Sequence, residues 1–284
     1  MKILLNLLSG LMRSVRIWKW ILAVWLATLL LVTLFTFPLK TGINATLGSS
    51  MITEKIAAGH FFDVIVNDGF NLQTVLAIFF SGLFLVVFAG SILNIFFAGG
   101  LFNVLKEDGR RRGATDFFGG AGSNFWSFLV ISIISFSVIF LLALIVAGIP
   151  AIIAVSSDSD LILSKTMKIA SVILMILIPA VVIAADYARA WQVTSNEKNA
   201  FRAFGKGIKL MFRSFFVSYI SVALILVINF LFSFFAVKGL LYAKASGGGA
   251  IFLLFLYGQT LAIIKIFIRS WRYGVVTSLY ESFH

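Results

Sequence analysis

Long apolar stretches alternate with short polar connections six times along the chain, and each stretch can cross a bilayer as a helix. They run over residues 20–38, 72–105, 125–155, 167–191, 214–237 and 250–271. The second would measure roughly 50 Å as a straight helix against a hydrocarbon core of about 30 Å, so it must tilt, bend or pass beyond the lipid. Gly90, Gly99 and Gly100 mark where it would bend or pack closely, and Pro179 is expected to kink the fourth stretch. The pattern predicts an all-α, polytopic membrane protein: a six-transmembrane-helix bundle forming one integral domain over residues 1–284.

Two segments carry a different period. In residues 1–19, Lys2, Asn6, Ser9, Arg13 and Arg16 recur at helical spacing, with Leu4, Leu5, Leu8, Leu11, Met12 and Val15 between them. That pattern predicts an amphipathic helix lying on the cytoplasmic face. Its charges follow the first apolar run and no small-residue cleavage pattern follows, so it does not read as a cleaved secretory signal. Residues 198–213 repeat the design, with Lys198, Arg202, Lys206, Lys209 and Arg213 on one side and Phe201, Phe204, Ile208, Met211 and Phe212 on the other. Thr194 and Glu197 have the spacing of a capping box that would start this helix. Thr115 is the expected cap in the preceding inner loop, where Gly119, Gly120 and Gly122 should weaken any helix.

Charge orients the bundle. Of 23 Lys and Arg residues, 17 fall in one alternating set of connections or in the span ends beside them, and 6 on the other side. The cation-rich side is expected to be cytoplasmic, which puts both termini of a multi-pass inner-membrane protein inside. Trp18, Trp20, Trp126, Trp191 and Trp271 fall at the same ends of the spans, as interfacial indoles do, and Trp25 does not. With 61% apolar and 12% charged residues and a mean hydropathy of +1.06, a water-soluble fold is excluded. The net charge of +12 therefore points to acidic lipid headgroups and not to nucleic acid, for which the chain has no soluble basic module. The chain has no cysteine, hence no disulfide or thiolate chemistry.

An internal echo recurs at an offset of 86 residues, pairing Ala98 with Ala184, Ala114 with Ala200, Phe118 with Phe204, Gly119 with Gly205, Ser132 with Ser218 and Ser135 with Ser221. It would relate two span–loop–span units of the same orientation, a parallel repeat.

Polar residues within the spans are the candidate chemistry. Asp186 and Arg189, three apart, can pair on one helix, and Lys265, Arg269 and Arg272 share a face that could reach Asp186 across the bundle. Asn94, Asn229 and Gln259 lie deeper, where side-chain amides bond between helices or line a polar seam. Ala143, Ala147 and Ala151 form a small-residue contact stripe. Arg110, Arg111 and Arg112 precede a GGAG run that lacks the strand and the Lys-Ser/Thr ending of a phosphate loop. His60 and Asp63 supply only two ligands for a metal, and no HExxH, GxSxG or paired intramembrane aspartate occurs. No cofactor and no enzymatic activity are expected.

Three stretches, FFAGGLFNVLKEDGRRRGATDFFGGAGSNF, DYARAWQV and GQTLAIIKIFIRSWRYGVVTSLYES, resemble a broad group of bacterial six-span inner-membrane proteins that includes the membrane domain of some glycerophosphodiester phosphodiesterases. The resemblance implies six helices with motif-bearing cytoplasmic loops. It implies no phosphodiesterase activity, because the catalytic barrel is absent. The expected function is a non-enzymatic membrane scaffold or accessory protein. It would bind acidic lipid or a membrane-protein partner through Arg110, Arg111, Arg112, Lys198, Arg202, Lys206, Lys209 and Arg213. The alternative is a small-solute or lipid transporter, with Asn94, Asp186, Arg189, Asn229, Gln259 and Lys265 along its route.

Overall fold

The computed structural model describes residues 2–47, 72–106, 113–156, 160–243 and 247–282, almost all of them helical and none in a strand. The elements are α1 (Lys2–Arg16), α2 (Trp18–Leu47), α3 (Leu72–Leu105), α4 (Ala114–Ala143), α5 (Ile149–Ser156), α6 (Asp160–Ser195), α7 (Ala200–Arg213), α8 (Phe215–Tyr242) and α9 (Gly248–Ser282). A π-helical turn, Leu144–Gly148, joins α4 to α5. Widening by one residue there accommodates Pro150, whose ring would clash with a carbonyl of the preceding turn. Among the described residues, six helical stretches have the length and composition to cross a bilayer: Trp18–Pro38, Ala77–Leu105, Ala114–Ile153, Leu163–Ser195, Phe215–Tyr242 and Gly248–Ser282. The protein is an all-α, six-span helical membrane bundle.

Packing divides the chain into two compact units, Met1–Ala23 with Ile95–His284, and Val24–Asn94. In the smaller unit, Thr28, Thr33 and Thr36 donate to the carbonyls of Val24, Leu29 and Val32, and Ser91 donates to Val87. Hydroxyls in a spanning helix are thereby satisfied without water. In the larger unit, exposed Ile133, Phe136, Phe140 and Ile145 on the α4 segment, Ile169, Ile173 and Ile176 on α6, Phe230 and Leu231 on α8 and Ile251 to Tyr257 on α9 form the lipid-compatible surface. The packed core gathers toward the other ends of these helices, where Phe102, Phe117, Phe128, Ile131, Ile183, Tyr187, Ile225, Val275 and Leu279 are fully buried. Trp20 stacks on Phe117 with centroids 4.5 Å apart, and Phe102 meets Tyr273 at the same distance. This cation-rich end of the larger unit is called the basic end below.

The start of α4 differs from expectation. It begins at Ala114, well ahead of residue 125, and runs straight through its glycines. Gly99 lies against Gly120 and Ala121, and Gly120 against Asn103, whose Nδ2 donates to the Asp116 carbonyl at 2.7 Å. Close backbone approach offsets glycine's helix penalty of about 1 kcal/mol. Thr115 lies inside the first turn and is not the cap; the Asp116 carboxylate accepts from the Gly113 amide at 3.1 Å.

The hairpin of α6 and α7 repeats this crossing. α4 and α7 begin at Ala114 and Ala200, 86 residues apart, and Gly207 sits against Ala184 and Ala188 as Ala121 sits against Gly99. The two hairpins then diverge. α4 continues unbroken, whereas Ser214, at φ −121° and ψ 29°, separates α7 from α8.

α1 lies along α9. Gly10 and Gly274 face one another so closely that a Cβ on Gly274 would fall 2.6 Å from the Gly10 carbonyl oxygen. The Trp271 indole donates to the Leu7 carbonyl at 2.8 Å, and Ser9 and Ser278 share a hydrogen bond of 2.8 Å. Leu4, Leu5, Leu8, Met12 and Val15 remain exposed, the apolar face expected of an interfacial helix. Arg13 departs from the expected polar surface: it is buried, donating to Glu281 at 2.6 Å and to the Leu105 carbonyl at 3.3 Å.

Candidate functional site

Two groups of polar side chains stand out at the basic end: a charged cluster among the helices and an exposed helix beside it. The cluster is built around Asp186. Ala184, Ala185 and Ala188 let α6 approach its neighbours closely, and its last turns sink into the core until the Asp186 carboxylate is 0% exposed. One carboxylate oxygen accepts from Arg189 Nη1 at 2.8 Å. The other lies 2.8 Å from Arg272 Nε on α9, a charge contact outside the angular range of a hydrogen bond. Arg189 also donates to the Ser132 hydroxyl on α4 at 3.0 Å and lies over the Phe128 ring. Ser132 in turn donates to the Phe128 carbonyl. Asp186 therefore ties α4, α6 and α9 together through two guanidiniums.

Beside this pair, α8 and α9 leave a cleft of about 200 Å³ lined by Ile225, Leu226, Asn229, Lys265, Ile268, Arg269 and Arg272. Lys265, Arg269 and Arg272 recur four and three residues apart, so α9 presents them on one stripe. Asn229, expected in a deep polar seam, forms part of this cleft. Gln259 and Asn94, expected on the same route, are not among its lining residues. The wall carries three cations and a single amide.

α7 is the second feature. Its start departs from the expected capping box, because α6 continues through Thr194 and Ser195, and Thr194 donates to the Ala190 carbonyl. The chain reverses at Asn196, which takes the left-handed φ of 53° that asparagine tolerates. Asn199 is the cap, its side-chain oxygen accepting from the Arg202 amide at 3.1 Å, and Glu197 pairs instead with the Arg202 guanidinium at 3.0 Å. The helix also has three faces where two are expected. Ala200, Ala203, Phe204, Gly207, Leu210 and Met211 are buried against the bundle. Phe201, Ile208 and Phe212 form a separate exposed apolar stripe, with Phe201 74% and Phe212 67% exposed. Arg202, Lys206, Lys209 and Arg213 form the third face, exposed as well, and Lys198 is exposed just ahead of it. At about 100° per residue, the exposed apolar stripe and the basic face are centred roughly 110° apart. Ser127 on α4 anchors the entry to α7 by donating to the Lys198 carbonyl at 2.8 Å.

No family model, curated protein or solved structure matches the chain.

Of the remaining expected site residues, Arg110, Arg111 and Arg112 lie outside the described residues, as do His60 and Asp63. A polar pocket of about 260 Å³ is lined by Asn103, Lys106, Thr115, Asp116, Ser123, Asn124 and Thr194 among others. Sequence patterns did not single out Tyr187, which is buried with its hydroxyl bonded to Ser218 and, at 3.4 Å, to Ser214. Ser214 and Ser218 are themselves 2.7 Å apart. The available signal was the i, i+4 spacing of two serines at the α7–α8 break, facing a tyrosine in the segment that also holds Asp186. Gln192, 1% exposed, was missed for want of any pattern.

Proposed function

We propose that the protein is a non-enzymatic membrane scaffold or accessory protein that holds acidic lipid, or a partner in the membrane, at its basic end. The observation that carries this reading is the three-faced α7. A helix that only capped the bundle would need one apolar face. α7 has a second, Phe201, Ile208 and Phe212, next to four exposed cations. That is the surface of a helix lying at the boundary of lipid and water, its aromatics toward the acyl chains and its cations among headgroups. The exposed leucine face of α1 supports the same placement. On this reading the basic end faces the cytoplasm of a bacterial cell, with the bundle in its inner membrane. Each cation near an anionic surface contributes about 1 kcal/mol, so α7 alone accounts for roughly 4 kcal/mol of attachment.

The chain has no cysteine, so single labels can be placed at will. With nitroxides at Ile208→Cys and Lys206→Cys in vesicles containing phosphatidylglycerol, the label at 208 should be accessible to oxygen and that at 206 to a water-soluble nickel complex. Equal exposure of both to the nickel complex would overturn the reading. Transport is a second reading, favoured by the cleft that brings Asn229 to Lys265. It requires flux across proteoliposomes that Asn229→Leu abolishes.

A further inference from the structure

We propose that the cleft between α8 and α9 binds the phosphate headgroup of an anionic phospholipid through Asn229, Lys265, Arg269 and Arg272. The inference rests on the membrane placement above but not on lipid binding by α7.

The cleft is strongly cationic. Asp186 carries one negative charge shared by Arg189 and Arg272, both largely buried, and Arg269 and Lys265 add two further cations along the same stripe of α9. Asp186 is the only acidic side chain among the residues of this cluster and cleft. None of the residues lining the cleft is acidic, so an anion there would face the cationic side chains of Lys265, Arg269 and Arg272.

On α9 the exposed large apolar side chains run from Ile251 to Tyr257 and end at Ile264, next to Lys265; beyond it Ile266 and Ile268 are buried. At 1.5 Å per residue, Lys265 stands about 25 Å and Arg272 about 36 Å from Gly248, bracketing a hydrocarbon thickness of about 30 Å. The cations thus stand where acyl chains give way to headgroups. Lys265, exposed, has the reach to snorkel into that layer.

Ile225, Leu226 and Ile268 form the apolar part of the wall, and exposed Leu224, Val227, Ile228 and Leu231 on α8 continue an apolar surface alongside it. A phosphate meeting the donors could therefore keep its acyl chains on protein. Guanidinium and ammonium donors with one amide match the oxygens of a phosphodiester, and an arginine fork binds two of them at once. The same donors would accept free phosphate, but the flanking apolar wall favours a lipid.

The test uses the full chain in detergent, with retained lipid counted by native mass spectrometry after addition of phosphatidylglycerol or phosphatidylcholine. Wild type should retain one phosphatidylglycerol in strong preference to phosphatidylcholine. The pair Lys265→Gln with Arg269→Gln leaves the Asp186 contacts intact and should weaken that lipid by about tenfold to thirtyfold, the loss of two surface cations at about 1 kcal/mol each. The set Lys198→Gln, Arg202→Gln, Lys206→Gln and Lys209→Gln should leave the retained lipid in place. Unchanged retention by the cleft variant, with a melting temperature like wild type, would overturn the proposal, as would equal retention of phosphatidylcholine. If the cleft variant unfolds, Asn229→Leu in its place must lower retention. Displacement of the lipid by millimolar inorganic phosphate would assign the cleft to a soluble anion and overturn the lipid assignment. A drop in retention with the α7 set alone would uphold the α7 reading and refute the cleft.

Discussion

At the residue scale, Asp186 is the position whose loss should matter most. Its carboxylate is the common partner of Arg189 and Arg272, so Asp186→Asn leaves two largely buried guanidiniums without a counter-charge. Breaking a buried pair from one side costs about 3–5 kcal/mol, which should appear as a large drop in melting temperature in lipid or detergent. A stable Asp186→Asn protein would mean the cluster is solvated. Tyr187→Phe should cost only about 1 kcal/mol, because Ser214 and Ser218 still bond to each other when the phenol is gone. The Asp186–Arg189 pair was legible in the sequence, since three-residue spacing on a helix fixes adjacency. The reach of Arg272 was foreseeable only as one of three cations on a face. Which of them meets the acid depends on how α6 and α9 cross, and linear spacing does not encode that.

Elements obey a different logic, set by which face meets what. The helical pattern of α7 separated apolar from basic positions correctly but could not divide the apolar ones between bundle and lipid. Phe204 and Met211 go inward and Phe201, Ile208 and Phe212 outward, because Gly207 lets the helix sit down on Ala184 and Ala188 along one edge of its apolar arc. Gly207→Ala should lift α7 and cost about 1–3 kcal/mol by overpacking, whereas Gly205→Ala, in open space, should be neutral or stabilising by up to about 1 kcal/mol. Thermal melts of the pair check this; equal effects would mean that α7 does not rest on α6 at residue 207. The cap was misplaced for a related reason. Thr194 and Glu197 have the right spacing, but apolar and alanine-rich turns carry α6 past Thr194, and the next suitable side chain, Asn199, takes the role. Glycines 119, 120 and 122 misled in the opposite sense: they read as helix breakers, and Gly120 is a contact surface. The shared starts of α4 and α7 give the 86-residue echo a geometric counterpart that scattered identities alone could not supply.

For the whole molecule, six spans and the class of fold were legible because a 30 Å apolar layer imposes a length that few sequences satisfy by accident. The proposed orientation, with the basic end in the cytoplasm, rests on the cation asymmetry and yields a direct expectation. A cysteine introduced at residue 206 in intact bacteria should resist a membrane-impermeant maleimide and react once the inner membrane is breached. Labelling in intact cells with the outer membrane opened would reverse the topology. The seam between α1 and α9 has a consequence for assembly. α1 leaves the ribosome long before α9 exists, so its Gly10 edge and Arg13 wait for Gly274 and Glu281 while every intervening span is inserted. During that interval its leucine face can rest on the membrane surface, the placement proposed for it in the finished protein. The α1–α9 contact is then a closing step: Arg13 is withdrawn from water only after α9 arrives, and an intermediate stalled before that point carries an exposed arginine and a bare glycine edge by which incomplete chains differ from complete ones.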